Sequence, residues 1–382
     1  MVSCRAAVLE ETGRIEIREF EIPQLGRDDT LLRIELAGVC GSDYKYFSGS
    51  IDVPLPIILG HEILGRIASI GEEAAARYGL KEGDRVTVEG PAPCWSCEFC
   101  WRGQYVFCTK RRRHDDAHRN QDLSNKRSGY GKTGTTVPPE LWGAMAEYMY
   151  VAPASIMHKL PGDIPAEDAF VTRLVANGIQ WLRSRGDVSV GDTVLIQGTG
   201  PQGLAAAAVA REAGAGMLIV SGLSSDVARL ALAREMGADY TVMADQEDVF
   251  ARVEEVTKGH MADVVLDATG SPAAFQASLK CVRPLGTLVL AGLTGTNVVT
   301  PLLADQIIWK EVRVQGVHGK GAQAYGAAYR FMEHSSNRYP LAKIMSNIYP
   351  LNETQRAIQA AGGSGGDTSF IKGAIAPWRS QN

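Results

Sequence analysis

The sequence predicts an α/β protein in which a domain with a parallel sheet is inserted into a mainly-β domain. Strand-like and helix-like segments alternate from about residue 190 to residue 300. This alternation is typical of βαβ units, which form a parallel sheet with helices on both faces. The residues before this region are rich in short strands and turns, and the alternation stops after about Thr300. The C-terminal tail is therefore expected to return to the first domain.

The length of 382 residues suits two domains. We expect the first domain to cover 1–160 and the inserted domain 161–300, with 301–382 returning to the first. Hydrophobic content of 45% and charged content of 21% are those of a globular protein with an ample core.

Charge and hydropathy exclude several function classes. The formal net charge of -4 gives no overall attraction to nucleic acid or to anionic membranes. The N-terminus carries charged residues where a signal peptide needs an apolar stretch, and no segment approaches about 18 consecutive apolar residues. We therefore expect a cytoplasmic protein with no nucleic-acid or membrane partner. The basic run at Lys110–His114 is interpreted as a solvated loop.

Each element of the first domain has a local pattern. The segments RIEIREF and TLLRIELAGV alternate apolar and charged residues, as half-buried strands do. GLKEGDRVTVEG predicts a turn that leads into another strand. From Thr109 to Glu140 the sequence is polar with several glycines, which predicts a long loop.

The inserted domain has a regular series of elements. Its predicted strands are DTVLIQ, MLIVSG, YTVM, ADVVLDATG and GTLVLAGL. Its predicted helices are LAAAAVAREAGA, DVARLALAREMGA, EDVFARVEEVTKG and AAFQASLKCVR. A further alanine-rich helix, GAQAYGAAYRFMEH, is expected in the tail.

Four cysteines lie close together with the spacing C-x2-C-x2-C-x7-C, namely Cys94, Cys97, Cys100 and Cys108. Short spacers of this kind allow four thiolates to surround one zinc ion, and closed sites of this type are usually structural. A disulfide cluster is the alternative, but adjacent bridges in so short a segment would be strained. We therefore predict a structural zinc lobe at about residues 90–110.

The segment GTGPQG matches the pattern G-x-G-x-x-G, with Gly198, Gly200 and Gly203 at its fixed positions and Pro201 and Gln202 between them. It follows a predicted strand and begins a helix, which is the context of a dinucleotide site. The free N–H groups at the start of that helix can bind phosphates. Thr269, after a later strand, is also taken as a cofactor-binding candidate.

The sequence leaves two interpretations of the residues that would select between NAD and NADP. An acid is usual at the end of the second strand of such a domain, but here the chain has Ser221–Ser225. Gly222 leaves room for a 2′-phosphate and Arg229 could pair with it, which favours NADP. Asp226 could instead accept from the 2′-hydroxyl, which favours NAD, or it could be only the N-cap of the next helix.

Two further segments carry zinc-ligand chemistry. GVCGSD contains Cys40 and Ser42, and GHE contains His61 and Glu62. A thiolate, an imidazole and a carboxylate are sound zinc ligands, and a catalytic zinc needs three protein ligands and an open position.

Together GVCGSD, LGHE, the cysteine lobe, GDRV and GTGPQG resemble the zinc-dependent medium-chain alcohol and polyol dehydrogenases. The resemblance covers essentially the whole chain. It implies a GroES-like catalytic domain with an inserted Rossmann domain, a catalytic zinc in the cleft between them, and a structural zinc in the lobe. It also implies a small-molecule alcohol or ketone substrate, NAD or NADP as cofactor, and a homodimer or homotetramer.

The same resemblance implies a role for each site residue. Cys40 and His61 become catalytic zinc ligands, and Glu62 becomes a ligand or a carboxylate just behind the metal. Ser42 would pass the substrate proton onward, and Asp43 would orient a ligand. Zinc would act as a Lewis acid on the alcohol while hydride passes to the nicotinamide.

Two positions depart from the family pattern. Thr172 and Arg173 stand where a further ligand is expected, so either Glu62 coordinates directly and water fills the last place, or the metal is held more weakly. Lys45 stands where many members carry a proton-relay histidine, and it is expected to face solvent. The alternatives are a zinc-free enone or quinone reductase of the same superfamily and a binding protein built on the cysteine lobe.

Overall fold

A computed structural model of the chain describes residues 3–109, 129–153, 155–160, 164–294, 298–363 and 369–379. The predicted solvated run Lys110–His114 and most of the predicted loop between Thr109 and Glu140 lie outside these residues. Among the described helices, none has the length and the apolar content that crossing a bilayer requires.

The described residues form sixteen β-strands and eleven α-helices, numbered here in chain order. The strands are β1 (Ser3–Glu11), β2 (Arg14–Glu21), β3 (Thr30–Val39), β4 (Ile57–Ile58), β5 (Glu62–Ile70), β6 (Arg85–Val88), β7 (Tyr148–Val151), β8 (Met157–Lys159), β9 (Thr193–Gln197), β10 (Met217–Gly222), β11 (Tyr240–Met243), β12 (Ala262–Asp267), β13 (Val282–Leu290), β14 (Arg313–Gly316), β15 (Met345–Pro350) and β16 (Lys372–Ala376). The helices are α1 (Gly41–Phe47), α2 (Glu72–Tyr78), α3 (Glu98–Trp101), α4 (Ala166–Gly178), α5 (Pro201–Glu212), α6 (Val227–Glu235), α7 (Val249–Val256), α8 (Pro272–Cys281), α9 (Ala304–Lys310), α10 (Ala322–Ser335) and α11 (Thr354–Ala361).

The chain divides into two compact units. The first consists of Met1–Phe170 together with Met345–Asn382, and the second of Val171–Ile344. The α/β fold class, with a mainly-β part interrupted by a parallel-sheet part, is confirmed.

The first unit is built on a sheet of order β15-β16-β3-β5-β6-β8, with β7 also paired to β3, and on a smaller sheet of order β2-β1-β4. Alternating strands such as β3 bury apolar side chains, including Leu32 and Ile34, and these pack into one continuous core. Because β15 and β16 come from the end of the chain, the C-terminal segment completes this sheet.

The second unit is built on a six-stranded parallel sheet of order β11-β10-β9-β12-β13-β14. The inner strands β9, β10 and β12 are almost wholly buried, which explains their continuous apolar runs. The chain order reverses next to β9, and ligands of open parallel sheets bind at such a point, beyond the carboxyl ends of the strands.

The unit boundaries differ from those that the sequence predicts. The sequence pattern assigns residues 301–344 to the first domain, whereas β14 pairs in parallel with β13 and extends the sheet of the second unit. The short segment RVQG that forms β14 is mostly exposed at the sheet edge. It therefore lacks the apolar run by which a buried parallel strand is recognised in a sequence.

Candidate metal centres and dinucleotide site

Two neighbouring strands, β3 and β5, bring the candidate catalytic ligands together where β3 ends and β5 begins. Cys40 directly follows β3, and His61 directly precedes β5. These strands are antiparallel, with Gly38 opposite Glu62, so the end of β3 lies beside the start of β5. The start of β16 lies on the other side of β3, where Gly373 is opposite Val39.

Cys40, His61 and Glu62 each offer one ligand atom, and these atoms all lie within 4.8 Å of one another. Glu62 is buried, while Cys40 and His61 are partly buried. A thiolate, an imidazole and a carboxylate at these separations form a suitable three-ligand set for zinc. The residues present therefore fit a catalytic zinc ion, as the sequence predicts.

Asp43 orients the histidine from helix α1. The backbone N–H of Cys40 donates to Oδ2 of Asp43 at 2.8 Å, and Oδ1 of Asp43 lies 3.4 Å from Nδ1 of His61. Burial by itself would lower the pKa of His61, but the charge and hydrogen bond of fully buried Asp43, together with Cys40, raise that pKa to about 10. A carboxylate behind a ligating histidine fixes the ring and increases its basicity.

Cys40 is held as a potential thiolate. Burial opposes ionisation most strongly, but the hydrogen bond and charge of His61, acting together with Lys372, lower the pKa of the Cys40 thiol below its ordinary value. The positive charge of Lys372 acts in the same direction. The thiolate is the form that binds metals.

Lys372 is a site residue that the sequence analysis missed. Its Nζ lies 2.5 Å from Oε2 of Glu62 and donates to the carbonyl oxygen of Val39 at 2.8 Å. Lys372 and Glu62 are each only 4% exposed. A buried carboxylate needs such a partner because desolvating an isolated charge is costly. The pair therefore holds one oxygen of Glu62 and balances its charge.

The four cysteines of the lobe also converge. Their sulfur atoms lie within 4.8 Å of one another, with 3.5 Å between Cys97 and Cys100 and 3.9 Å between Cys94 and Cys100. Tetrahedral zinc with Zn–S bonds of about 2.3 Å places sulfurs about 3.8 Å apart. None of the seven cysteines forms a disulfide. The geometry therefore fits a closed zinc site, with the four thiols free of disulfide bonds.

A buried polar network connects this lobe to the sheet of the first unit. The hydroxyl of Tyr105 donates to the carboxylate of Glu89 at 2.7 and 2.8 Å, and Nε2 of His158 lies 2.7 Å from the same carboxylate. Glu89 follows β6 and His158 lies in β8. The lobe is thereby fixed in position by a buried carboxylate.

The glycine segment has the geometry of a dinucleotide turn. Gly198 follows β9 with φ of +107°, a conformation that favours glycine. A Cβ on Gly203 would lie only 1.9 Å from the carbonyl oxygen of Gly198, whereas a Cβ on Gly200 would meet no protein atom within 4 Å. Pro201 begins helix α5, whose N-terminal N–H groups are available for phosphate.

The other cofactor candidates surround this turn. A Cβ on Gly198 would lie 3.1 Å from Cγ2 of Thr269, and a Cβ on Gly222 would lie 2.8 Å from Cγ2 of Thr199. Gln202 accepts at 2.9 Å from Nδ2 of Asn177, whose Oδ1 in turn accepts at 2.9 Å from Lys320. Beyond β10, Asp226 pairs with Arg229 at 3.0 Å, so these two candidates contact each other.

The remaining predicted positions are found on two helices. Ser42 and Lys45 lie on α1 and are partly buried, so Lys45 is less open to solvent than expected. Thr172 and Arg173 lie on α4 and are 1% and 9% exposed.

Comparisons with known proteins match both units. Residues 26–162 match the alcohol dehydrogenase GroES-like domain, and residues 201–334 match the zinc-binding dehydrogenase domain. A probable alcohol dehydrogenase of Mycobacterium tuberculosis is 37% identical over 98% of both chains. An erythritol/L-threitol dehydrogenase of Mycolicibacterium smegmatis is 32% identical over 93% of both. The crystal structure of an alcohol dehydrogenase from Thermotoga maritima is 26% identical, with a TM-score of 0.84 over 98% of this chain and 100% of that one.

Two glycines of the turn should respond differently to substitution. Gly203→Ala forces a Cβ against a backbone oxygen and should destabilise the protein by about 1–3 kcal/mol. Gly200→Ser, which retains a good N-cap residue in open space, should leave stability within about 0.5 kcal/mol and weaken dinucleotide binding. Urea denaturation and calorimetric titration with NAD+ measure the two effects. Equal destabilisation by both variants would contradict this geometry.

Removing the buried charge of Lys372 should strongly lower the free energy of unfolding. Lys372→Met takes away the charge that compensates Glu62 and should lower the free energy of unfolding by about 3–5 kcal/mol, while adding Glu62→Gln should recover part of the loss. Lys343→Met breaks the exposed pair with Glu235, whose contact distance is also 2.5 Å, and should cost less than about 1 kcal/mol. Urea denaturation compares the variants, and similar losses for Lys372 and Lys343 would refute the importance of burial.

Proposed function

Because the chain belongs to the zinc-dependent medium-chain alcohol and polyol dehydrogenase family, we propose that it oxidises a secondary alcohol or polyol at a zinc ion held by Cys40, His61 and Glu62. NAD(P) is the hydride acceptor, and the same site reduces the matching ketone in the reverse direction. The observation that carries this proposal is the convergence of a thiolate, an imidazole and a carboxylate within 4.8 Å of one another where β3 ends and β5 begins.

Oxidation of an alcohol removes a hydride from carbon and a proton from oxygen. A zinc ion at this position supplies Lewis-acid chemistry that makes the hydroxyl of the alcohol more acidic. Ser42, two residues after Cys40, is proposed to accept that proton and pass it onward. Asp43 keeps His61 oriented through the 3.4 Å contact with Nδ1. A nicotinamide cofactor held at the glycine turn would supply the hydride acceptor.

Glu62 is proposed as the third protein ligand. Thr172 and Arg173 occupy the position where the family carries a further ligand, and they offer neither a thiolate nor a carboxylate. A third protein ligand must therefore come from elsewhere. Lys372 compensates the charge of Glu62, and a carboxylate oxygen of Glu62 lies within 4.8 Å of the ligand atoms of Cys40 and His61. A zinc ion held by these three residues would keep one position for water or substrate.

The cysteine lobe is proposed to hold a second zinc ion with a structural role. Four thiolates close the coordination shell and leave no position for substrate. Free thiols in these positions also suit a reducing compartment, and we propose a cytoplasmic location.

Polyols are the proposed substrate class. The erythritol/L-threitol dehydrogenase is similar over 93% of the chain, and a sorbitol dehydrogenase of Bacillus subtilis is 30% identical over 94% of it. Both relatives act on chains of adjacent hydroxyl groups, according to their names. Steady-state rates for a panel of polyols and simple secondary alcohols, measured with both NAD+ and NADP+, separate the two substrate classes. Higher kcat/KM for the polyols is the expected result.

A homo-oligomer is proposed from the edge of the second unit. Strand β14 ends the parallel sheet, so its outer edge is open among the described residues. Ile308 and Trp309 nearby are 67% and 79% exposed. Open edges and exposed apolar groups of this kind favour pairing with a second copy. Sedimentation of the purified protein should give at least twice the monomer mass, and Trp309→Glu should weaken the assembly.

The catalytic role is tested by removing the thiolate. Cys40→Ala should reduce alcohol oxidation by at least about a thousandfold and lower the zinc content from two ions per chain to one, because one ligand of three is lost. Cys281→Ala, which removes a buried cysteine of the other unit, should retain both zinc ions and activity. Elemental analysis and steady-state kinetics are the measurements.

Two outcomes would contradict the assignment. Full activity of Cys40→Ala would remove the zinc from the reaction and favour a zinc-free reductase of the superfamily. A single zinc in the unmodified protein, lost on Cys94→Ala and retained on Cys40→Ala, would leave only the structural site.

A further inference from the structure

The loop after β10 has no free carboxylate of its own for a ribose. The first acid after the strand is Asp226, which is partly buried and paired with a cation, whereas a carboxylate that selects the cofactor needs an exposed, uncompensated charge. Oδ2 accepts from the backbone N–H of Leu223 at 3.1 Å, and Oδ1 accepts from Arg229 at 3.0 Å. Asp226 therefore caps the turn and neutralises the arginine that could otherwise bind a 2′-phosphate.

A second carboxylate reaches this loop from the neighbouring strand. Strands β10 and β11 are parallel with Gly222 beside Met243, so the residues that follow them lie side by side. The backbone N–H of Ser224 donates to Oδ1 of Asp245 at 2.7 Å, and the Ser224 hydroxyl donates to Oδ2 at 2.5 Å. The side-chain and backbone bonds from Ser224 lower the pKa of Asp245, which keeps it ionised.

The loop lies next to the dinucleotide turn. Gly222, the last residue of β10, is so close to Thr199 of the turn that a Cβ would meet the threonine side chain at 2.8 and 3.0 Å. In folds of this kind the pyrophosphate binds at the turn, and the adenosine ribose extends to the end of the second strand. The 2′ position of that ribose is therefore directed to the loop that carries Ser224, the residue that donates to Asp245.

We propose that Asp245 is a specificity-determining residue that makes the site select NAD over NADP, an inference that rests on the proposed function. An exposed carboxylate can accept from a 2′-hydroxyl, whereas it repels the two negative charges of a 2′-phosphate. Two carboxylates, Asp245 and Asp226, lie at this loop, and the cation of Arg229 is already paired with Asp226. The charge of Asp245 is therefore not compensated by Arg229. The acid that is missing after β10 is thus supplied by the end of β11.

The test is equilibrium binding of NAD+ and NADP+ by calorimetric titration, which needs no turnover. The unmodified protein should bind NAD+ at least about tenfold more tightly than NADP+. Asp245→Asn retains a side chain of the same shape beside Ser224 and removes its charge. It should bring the two affinities closer by about tenfold, mainly by tightening NADP+ binding. The fragments 5′-ADP and adenosine 2′,5′-bisphosphate should show the same change.

The matched control is Asp192→Asn. Oδ2 of Asp192 also accepts from a serine N–H, that of Ser189 at 2.8 Å, but Asp192 directly precedes β9 and so lies at the opposite edge of the same sheet. This variant loses the same charge and should leave the ratio of the two affinities unchanged.

The outcomes separate the inference from the proposed function. If the unmodified protein prefers NADP+, or if Asp245→Asn moves the ratio no more than Asp192→Asn does, Asp245 does not select the cofactor although the dinucleotide site stands. If neither dinucleotide nor either fragment binds the unmodified protein, the proposed function itself fails, and the inference fails with it. A preference of the unmodified protein for NADP+ overturns the inference even if the Asp245 variant does not fold.

Discussion

Balance of buried charge at the end of β3 is the constraint on which the candidate catalytic centre depends. Asp43 and Glu62 are almost completely buried, and each faces a cationic partner, His61 and Lys372 respectively. The hydrogen bond from His61 and the charges of His61 and Lys372 favour the ionised form of the Cys40 thiol. A protein that buries charges in this way pays a desolvation cost that is recovered only when each charge has a partner. The arrangement holds Cys40, His61 and Glu62 together for a metal, whose binding would displace the proton from His61.

The sheet topology explains how residues so distant in sequence meet. Cys40 and Glu62 come from neighbouring antiparallel strands, and Lys372 comes from β16, which the chain reaches only after completing the second unit. The C-terminal segment is thus part of the site as well as part of the sheet. The cysteine lobe is held to the same unit by the carboxylate of Glu89, so the two candidate metal sites share one scaffold.

Local patterns in the sequence were sufficient to predict those features whose residues are close together along the chain. The short spacers between Cys94 and Cys108 predicted the sulfur cluster, and the strand-turn-helix context predicted the glycine turn. Lys372 could not be found in this way, because its partner oxygen on Val39 is 333 positions away and the register of β3 and β16 is not visible in either segment. Asp245 was missed for a related reason: the sequence rule looks for an acid after the second strand, whereas this one follows the third. The end of the inserted unit was placed too early because edge strand β14 is short and polar.

X-ray absorption at the zinc edge tests the central claim most directly, since it counts sulfur neighbours around the bound zinc. One site with four thiolates and one with only Cys40 among nitrogen and oxygen ligands should give an average of about 2.5 sulfurs per zinc, at about 2.3 Å. Replacing Cys40 by alanine should raise that average to about four, because only the lobe then retains metal. An average of four sulfurs in the unmodified protein would contradict the account, since it would mean that Cys40, His61 and Glu62 hold no zinc.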